Sequence, residues 1–166
     1  MILGMSTAAF TQFHVILSLI GIASGIVAIL AMLSSKPVPA WTAVFLLTTA
    51  ATSITGFMFP TATFDPAKVI GVISLAILAI AILALYGRKL AGSWRWIYVA
   101  AAVLSLYLNV FVAVVQSFQK IAFFHALAPT QKEPPFAIAQ AVVLLVFVVL
   151  GIAAARKFRP AVAAAA

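Results

Sequence analysis

Ser93–Lys120 reads SWRWIYVAAAVLSLYLNVFVAVVQSFQK, and this stretch decides the fold. Two tryptophans and an arginine open it. From Ile97 to Val115 it is apolar and interrupted by one amide, Asn109; Gln116, Gln119 and Lys120 close it. At 1.5 Å per residue such a run covers the ~30 Å hydrocarbon core of a bilayer. The Trp and Arg side chains at its start are those that settle at a membrane–water interface.

The whole composition agrees. Only 7% of the 166 residues are charged and 66% are hydrophobic, with a mean hydropathy of +1.27. A soluble domain carries about 25% charged residues to face water, so the surplus apolar surface here must face lipid. The formal charge of +8 does not point to nucleic acid, because the cations sit in short loops between apolar runs. There they act as topology signals and attract anionic headgroups. With no cysteine, disulfides, thiolate metal sites and thiol catalysis are excluded. The N-terminus lacks a basic n-region and its first apolar run is long enough to span, so it reads as a retained helix.

Five apolar runs emerge, at 15–33, 41–59, 69–86, 96–115 and 136–155. All eight prolines fall between or after them, as they must where lipid cannot replace a lost backbone hydrogen bond. The expectation is an all-α, polytopic membrane helix bundle with five transmembrane helices. Residues 1–160 form one domain and 161–166 a frayed tail. Beyond Val115, the segment 116–128 outruns the bilayer and should be a helical extension or a bent piece in the outer interface.

Lys36, Arg88, Lys89, Arg95, Arg156, Lys157 and Arg159 fall on one side of this arrangement, whereas Lys68, Lys120, Lys132 and both acids, Asp65 and Glu133, fall on the other. The positive-inside rule then places the N-terminus outside and the C-terminus in the cytoplasm, in a bacterial inner (plasma) membrane. Trp41, Tyr86, Trp94, Trp96 and Tyr98 gather at the inner level. The outer ends collect Phe10, Phe13, Phe57, Phe59, Phe64, Phe118, Phe123, Phe124 and Phe136. Phenylalanine has no polar handle, so such a collection suits lipid, a partner or a lipophilic ligand, or packing of outer loops on helix ends.

Helices in lipid associate through small residues and hydrogen bonds. The first span carries a seam at Thr11, His14, Ser18, Gly21, Gly25 and Ala28; the fourth carries one at Ala102, Ser105, Asn109, Val112, Gln116 and Gln119. Run antiparallel, they align His14 with Gln116, Gly21 with Asn109 and Gly25 with Ser105. Helices one and four are therefore expected as the central pair, closest at Gly21 and Asn109. Asn109 serves either as a ligand contact or as an interhelical hydrogen bond that fixes register. The second role is preferred, since no ionisable residue shares its depth. Thr42, Thr49, Thr52 and Gly56 share a face of the second span; their hydroxyls can bond their own helix or line a polar path.

At the outer level, His14, Thr52, Thr55, Gln116 and Gln140 fall at similar depth, with Asn109 below. An imidazole, carboxamides and hydroxyls walled by Phe form the few-polar-groups-in-an-apolar-pocket pattern of a small-molecule site. A quinone, a lipid or haem would suit it, although helix ends also collect polar residues because water reaches them. Haem would require His14 and His125 to converge on one tetrapyrrole. No catalytic motif and no membrane-embedded carboxylate pair is present. The reading is a non-enzymatic accessory subunit or binder of a lipophilic molecule in a pocket of spans one, two, four and five. Its partners would be membrane lipids, other membrane-protein subunits or further copies of itself. A b-type haem electron carrier and an oligomeric channel or transporter are the alternatives.

Overall fold

The computed structural model describes residues 1–60 and 66–160. Phe64, Asp65 and the tail 161–166 lie outside the described residues. The architecture is all-α, as expected: α1 (Thr7–Leu33), α2 (Pro39–Phe57), α3 (Pro66–Ile82), α4 (Trp94–Lys120), α5 (Ala122–Leu127) and α6 (Pro134–Lys157). Five of these are long and apolar enough to cross a membrane, with α3 continued to Gly87 by a π-helical turn over Leu83–Gly87.

Local chemistry sets the boundaries. Proline opens α2, α3 and α6, where its missing N–H would have been unpaired anyway. Ser6 caps α1 by accepting from the Ala9 N–H at 3.2 Å. The fourth span runs on to Lys120, and Ile121 then turns extended (φ −93°, ψ 116°) before the short α5. The expected extension over 116–128 is thus a helix continuation followed by a bent piece.

α4 is the hub, packing against α1, α3, α5 and α6 and more lightly against α2. The expected pairing of helices one and four holds as adjacency but needs correction as the central pair, because α1 makes its most extensive contact with α2. Two glycines explain this. A Cβ at Gly21 would lie 3.1 Å from Asn109 Nδ2 and Thr49 Oγ1 and 3.2 Å from Thr48 Oγ1; one at Gly25 would lie 2.7 Å from Leu106 Cδ1 and 2.8 Å from Phe45 Cδ2. Each glycine admits α2 and α4 together. Gly25 therefore meets the side chains of Leu106 and Phe45.

α6 packs on α4 and α1 and turns Ile138, Val142, Leu145, Val149 and Ile152 outward, an apolar face suited to lipid. Just past its end, Phe158 is buried against Tyr98 (ring centroids 6.0 Å apart), and its carbonyl accepts from Arg95. The Arg159 N–H donates to Ser35 Oγ at 2.7 Å. The end of α6 thus sits beside the end of α1, which leaves the start of α1, ~40 Å away along that helix, at the opposite end of the bundle. Arg95 stacks on Trp96 and Arg88 lies over Trp94, at 4.1 and 5.1 Å.

Candidate functional site

Between α1, α2, α3 and α4 lies a cavity of about 530 Å³, within the range of small-molecule sites. Its walls run the same way on every helix: from Thr11 to Ser18 on α1, Gly56 to Thr49 on α2, Lys68 to Ser74 on α3, and Lys120 to Asn109 on α4. Lys68 and Lys120 mark one end; Ser18, Thr49, Ser74 and Asn109 mark the other. Past that floor the core is closed by buried Phe45, Leu106, Ile29, Leu78 and Met32. The cavity is therefore blind, not a continuous wet path through the chain.

Each polar wall residue can be followed to its proton. The hydroxyls of Thr11, Thr52 and Ser117 donate to the carbonyls of Thr7, Thr48 and Ala113 at 2.8 Å each, the back-bonding that lets hydroxyls sit in an apolar helix. They face the cavity as acceptors. Thr55 donates to the Ala51 carbonyl at 2.8 Å, so its oxygen accepts from His14 Nδ1 at 2.8 Å. Nδ1 is therefore the donor of this pair, and in the neutral ring Nε2 carries the lone pair. Phe59 packs edge-on against that ring, centroids 5.3 Å apart, and in turn stacks on Phe10 at 5.1 Å.

The floor differs from the walls. Ser18 Oγ donates to Asn109 Oδ1 at 2.9 Å, which orients the amide and commits its oxygen. Asn109 Nδ2 has no hydrogen-bond partner among the described residues, nor has Thr49 Oγ1, although the two residues are 8% and 2% exposed. Unpartnered buried donors are costly and uncommon. Both residues line the cavity, but the two atoms themselves are shut off from it and lie against Gly21, so Ser18 and Asn109 form the expected interhelical hydrogen bond.

Of the expected site residues, the structure gathers His14, Thr52, Asn109 and Gln116 in this cavity, with Thr55 directly behind His14. Gln140 is not among them: its Nε2 donates to the Phe111 carbonyl at 3.2 Å, where α6 meets α4. The cavity thus lies between spans one, two, three and four, and the expected fifth-span wall is outside it. Residues facing each other across adjacent helices, not equal depth alone, decide membership, and α3 wedges in where α6 was expected. Gly71 and Ser74 of α3 carry no expectation from the sequence, and Lys68 carries one only as an outer cation, although their three-residue spacing puts the small and polar residues of that span on one face. Ser105 is buried with its hydroxyl unpartnered and lies off the cavity. On α2, Thr42 sits at the far end of the expected threonine face, hydrogen-bonded to Tyr98.

The two histidines do not share the cavity. His125 lies on exposed α5 with Nδ1 3.3 Å from the Phe118 carbonyl, and no cluster of three or more metal-ligating side chains occurs among the described residues. The expected phenylalanine level resolves into two groups. Phe10, Phe13 and Phe59 flank His14, and Phe118, Phe124 and Phe136 tie α5 to α4 and α6.

Compared with known proteins, the chain matches no family model, no curated protein and no solved structure.

Proposed function

We propose that this integral membrane protein is a non-enzymatic binder of a lipophilic molecule, held in the cavity of α1–α4. It acts alone or as an accessory subunit of a larger membrane assembly. The observation that carries the reading is the cavity itself: about 530 Å³ walled by four helices, apolar at Val15, Ile70 and Val112, with the polar side chains of His14, Thr52 and Gln116 among its walls. A hydroxyl or carbonyl group on a ligand would find its polar contacts at these side chains. The blind floor favours binding over passage through one copy. The distribution of cations supports a plasma-membrane setting with the N-terminus outside, which puts the cavity in the outer half of the bilayer.

Extraction in a gentle neutral detergent followed by native mass spectrometry tests this. The wild type is expected to carry a small lipophilic adduct that Ala113→Trp, which fills the cavity, removes while the helical circular dichroism is unchanged. Equal adducts on both proteins count against the reading.

A further inference from the structure

Along α4 the cavity wall grades from polar to apolar. Lys120, Gln116 and Val112 line it at four-residue steps, so each stands one turn, ~6 Å, below the last on one face of the helix. Lys120 is exposed at the rim, Gln116 is half-buried on the wall, and Asn109 closes the floor. Lys120 and Asn109 are eleven positions apart, about 16 Å along the axis, close to the ~15 Å that one leaflet contributes to the hydrocarbon core. The Gln116 carboxamide makes no hydrogen bond among the described residues. Its N–H groups can reach a ligand, whereas Asn109 Nδ2 is shut off.

The cavity also has a side opening. Val15 and Leu19 line it yet are 43% and 58% exposed. Leu19 adjoins Ser18, whose hydroxyl bonds Asn109 at the floor. It stands about 140° around α1 from His14, which bonds Thr55 of α2, so it lies on the flank away from α2. A wall residue so exposed at floor depth leaves the cavity open there to the lipid that surrounds a spanning helix.

We propose that the cavity seats a glycerolipid of the surrounding outer leaflet, which enters sideways past Val15 and Leu19. One acyl chain lies against Val112 and Ile70, an ester carbonyl accepts from the Gln116 carboxamide, and the headgroup stays in the interface at the rim. This deepens the binding function above and rests on it. Rim, amide and apolar wall follow one another down α4 in the order of headgroup, ester and chain down a lipid. A ligand arriving from water needs only the rim; an opening at floor depth serves one already dissolved in the bilayer.

The test places the full-length protein in phosphatidylcholine liposomes with a tracer phosphatidylcholine that carries a diazirine midway along one chain. After photolysis, labelled residues are mapped by peptide mass spectrometry. Labels are expected on Val112 and Ile70 as well as on Leu145 and Val149, on the outer face of α6. Leu19→Trp, which narrows the side opening, should lose the cavity labels and keep those on α6; Val15→Trp reads the same opening should Leu19→Trp fold poorly. A diether tracer, which has no carbonyl, should label the wild-type cavity about two- to tenfold less, the size of one hydrogen bond, and Gln116→Leu should level the two tracers. Cavity labels that both tryptophans leave unchanged, or equal cavity labelling of the wild type by the two tracers, overturn the proposal. If the phospholipid labels α6 alone while a free diazirine fatty acid labels the cavity in detergent, the binding function stands and only the seating of a bilayer lipid falls. If neither probe labels the cavity, both fall together.

Discussion

At the level of single residues, small size and polarity act at the same points. Gly25 is the tightest of them, since any side chain there meets Leu106 and Phe45 at under 3 Å. Gly25→Val should cost about 1–3 kcal/mol, the usual penalty of overpacking a filled core. Ser18→Ala should cost less, about 0.6 kcal/mol and no more than ~1.7 kcal/mol, because membrane hydrogen bonds are weak even when buried. Thermal melts of the detergent-solubilised proteins, followed by helical circular dichroism, give both values, and a reversed order would mean that the polar contact outweighs packing. The adjacency of Gly21 and Asn109 was legible in the sequence because glycine and amide recur on seams of helical spacing. The side chains that reach Gly25 were not: Leu106 and Phe45 arrive there by their own length and rotamers, which spacing alone does not give.

At the level of elements, proline and the interfacial residues made the helix limits readable, while the order of packing around α4 stayed hidden. Short loops say which helices follow one another; they do not say whether α3 or α6 closes the space beside α1 and α4. The α5–α6 connection is held by Glu133, which accepts from the Thr130 hydroxyl at 2.8 Å and from the N–H groups of Thr130 and Lys132. Desolvation pushes its carboxyl up, but these hydrogen bonds outweigh it and hold the carboxyl below the usual glutamate range. Its contribution to folding is therefore present above the unfolded value of ~4.3 and is lost as pH falls through the lower folded value. Gln131, at φ 59°, also ties this loop to α4 by donating to the Val115 carbonyl at 2.8 Å. Amide hydrogen exchange across 129–133 should stay slow at neutral pH and quicken, after correction for intrinsic rates, under acid; Glu133→Gln should lose the acid-dependent step.

At the level of the whole molecule, the five apolar helices follow from hydropathy, and the structure adds an exposed apolar face on α6, a closed basic end and a blind cavity at the other end. Because the chain has no cysteine, orientation is directly measurable. A membrane-impermeant thiol reagent on intact cells should label Ser6→Cys and spare Ser93→Cys until the membrane is opened; the reverse would invert the bundle. The central claim, that the cavity of α1–α4 is a ligand site, is tested most directly by a diazirine-bearing fatty acid photolysed in the purified protein, with labelled residues mapped by peptide mass spectrometry. Saturable labelling, competed by the same fatty acid without the diazirine, is expected on cavity residues such as Val15, Ile70 and Val112. Labelling confined to the outer face of α6, at residues such as Leu145 and Val149, and rising without saturation would contradict it.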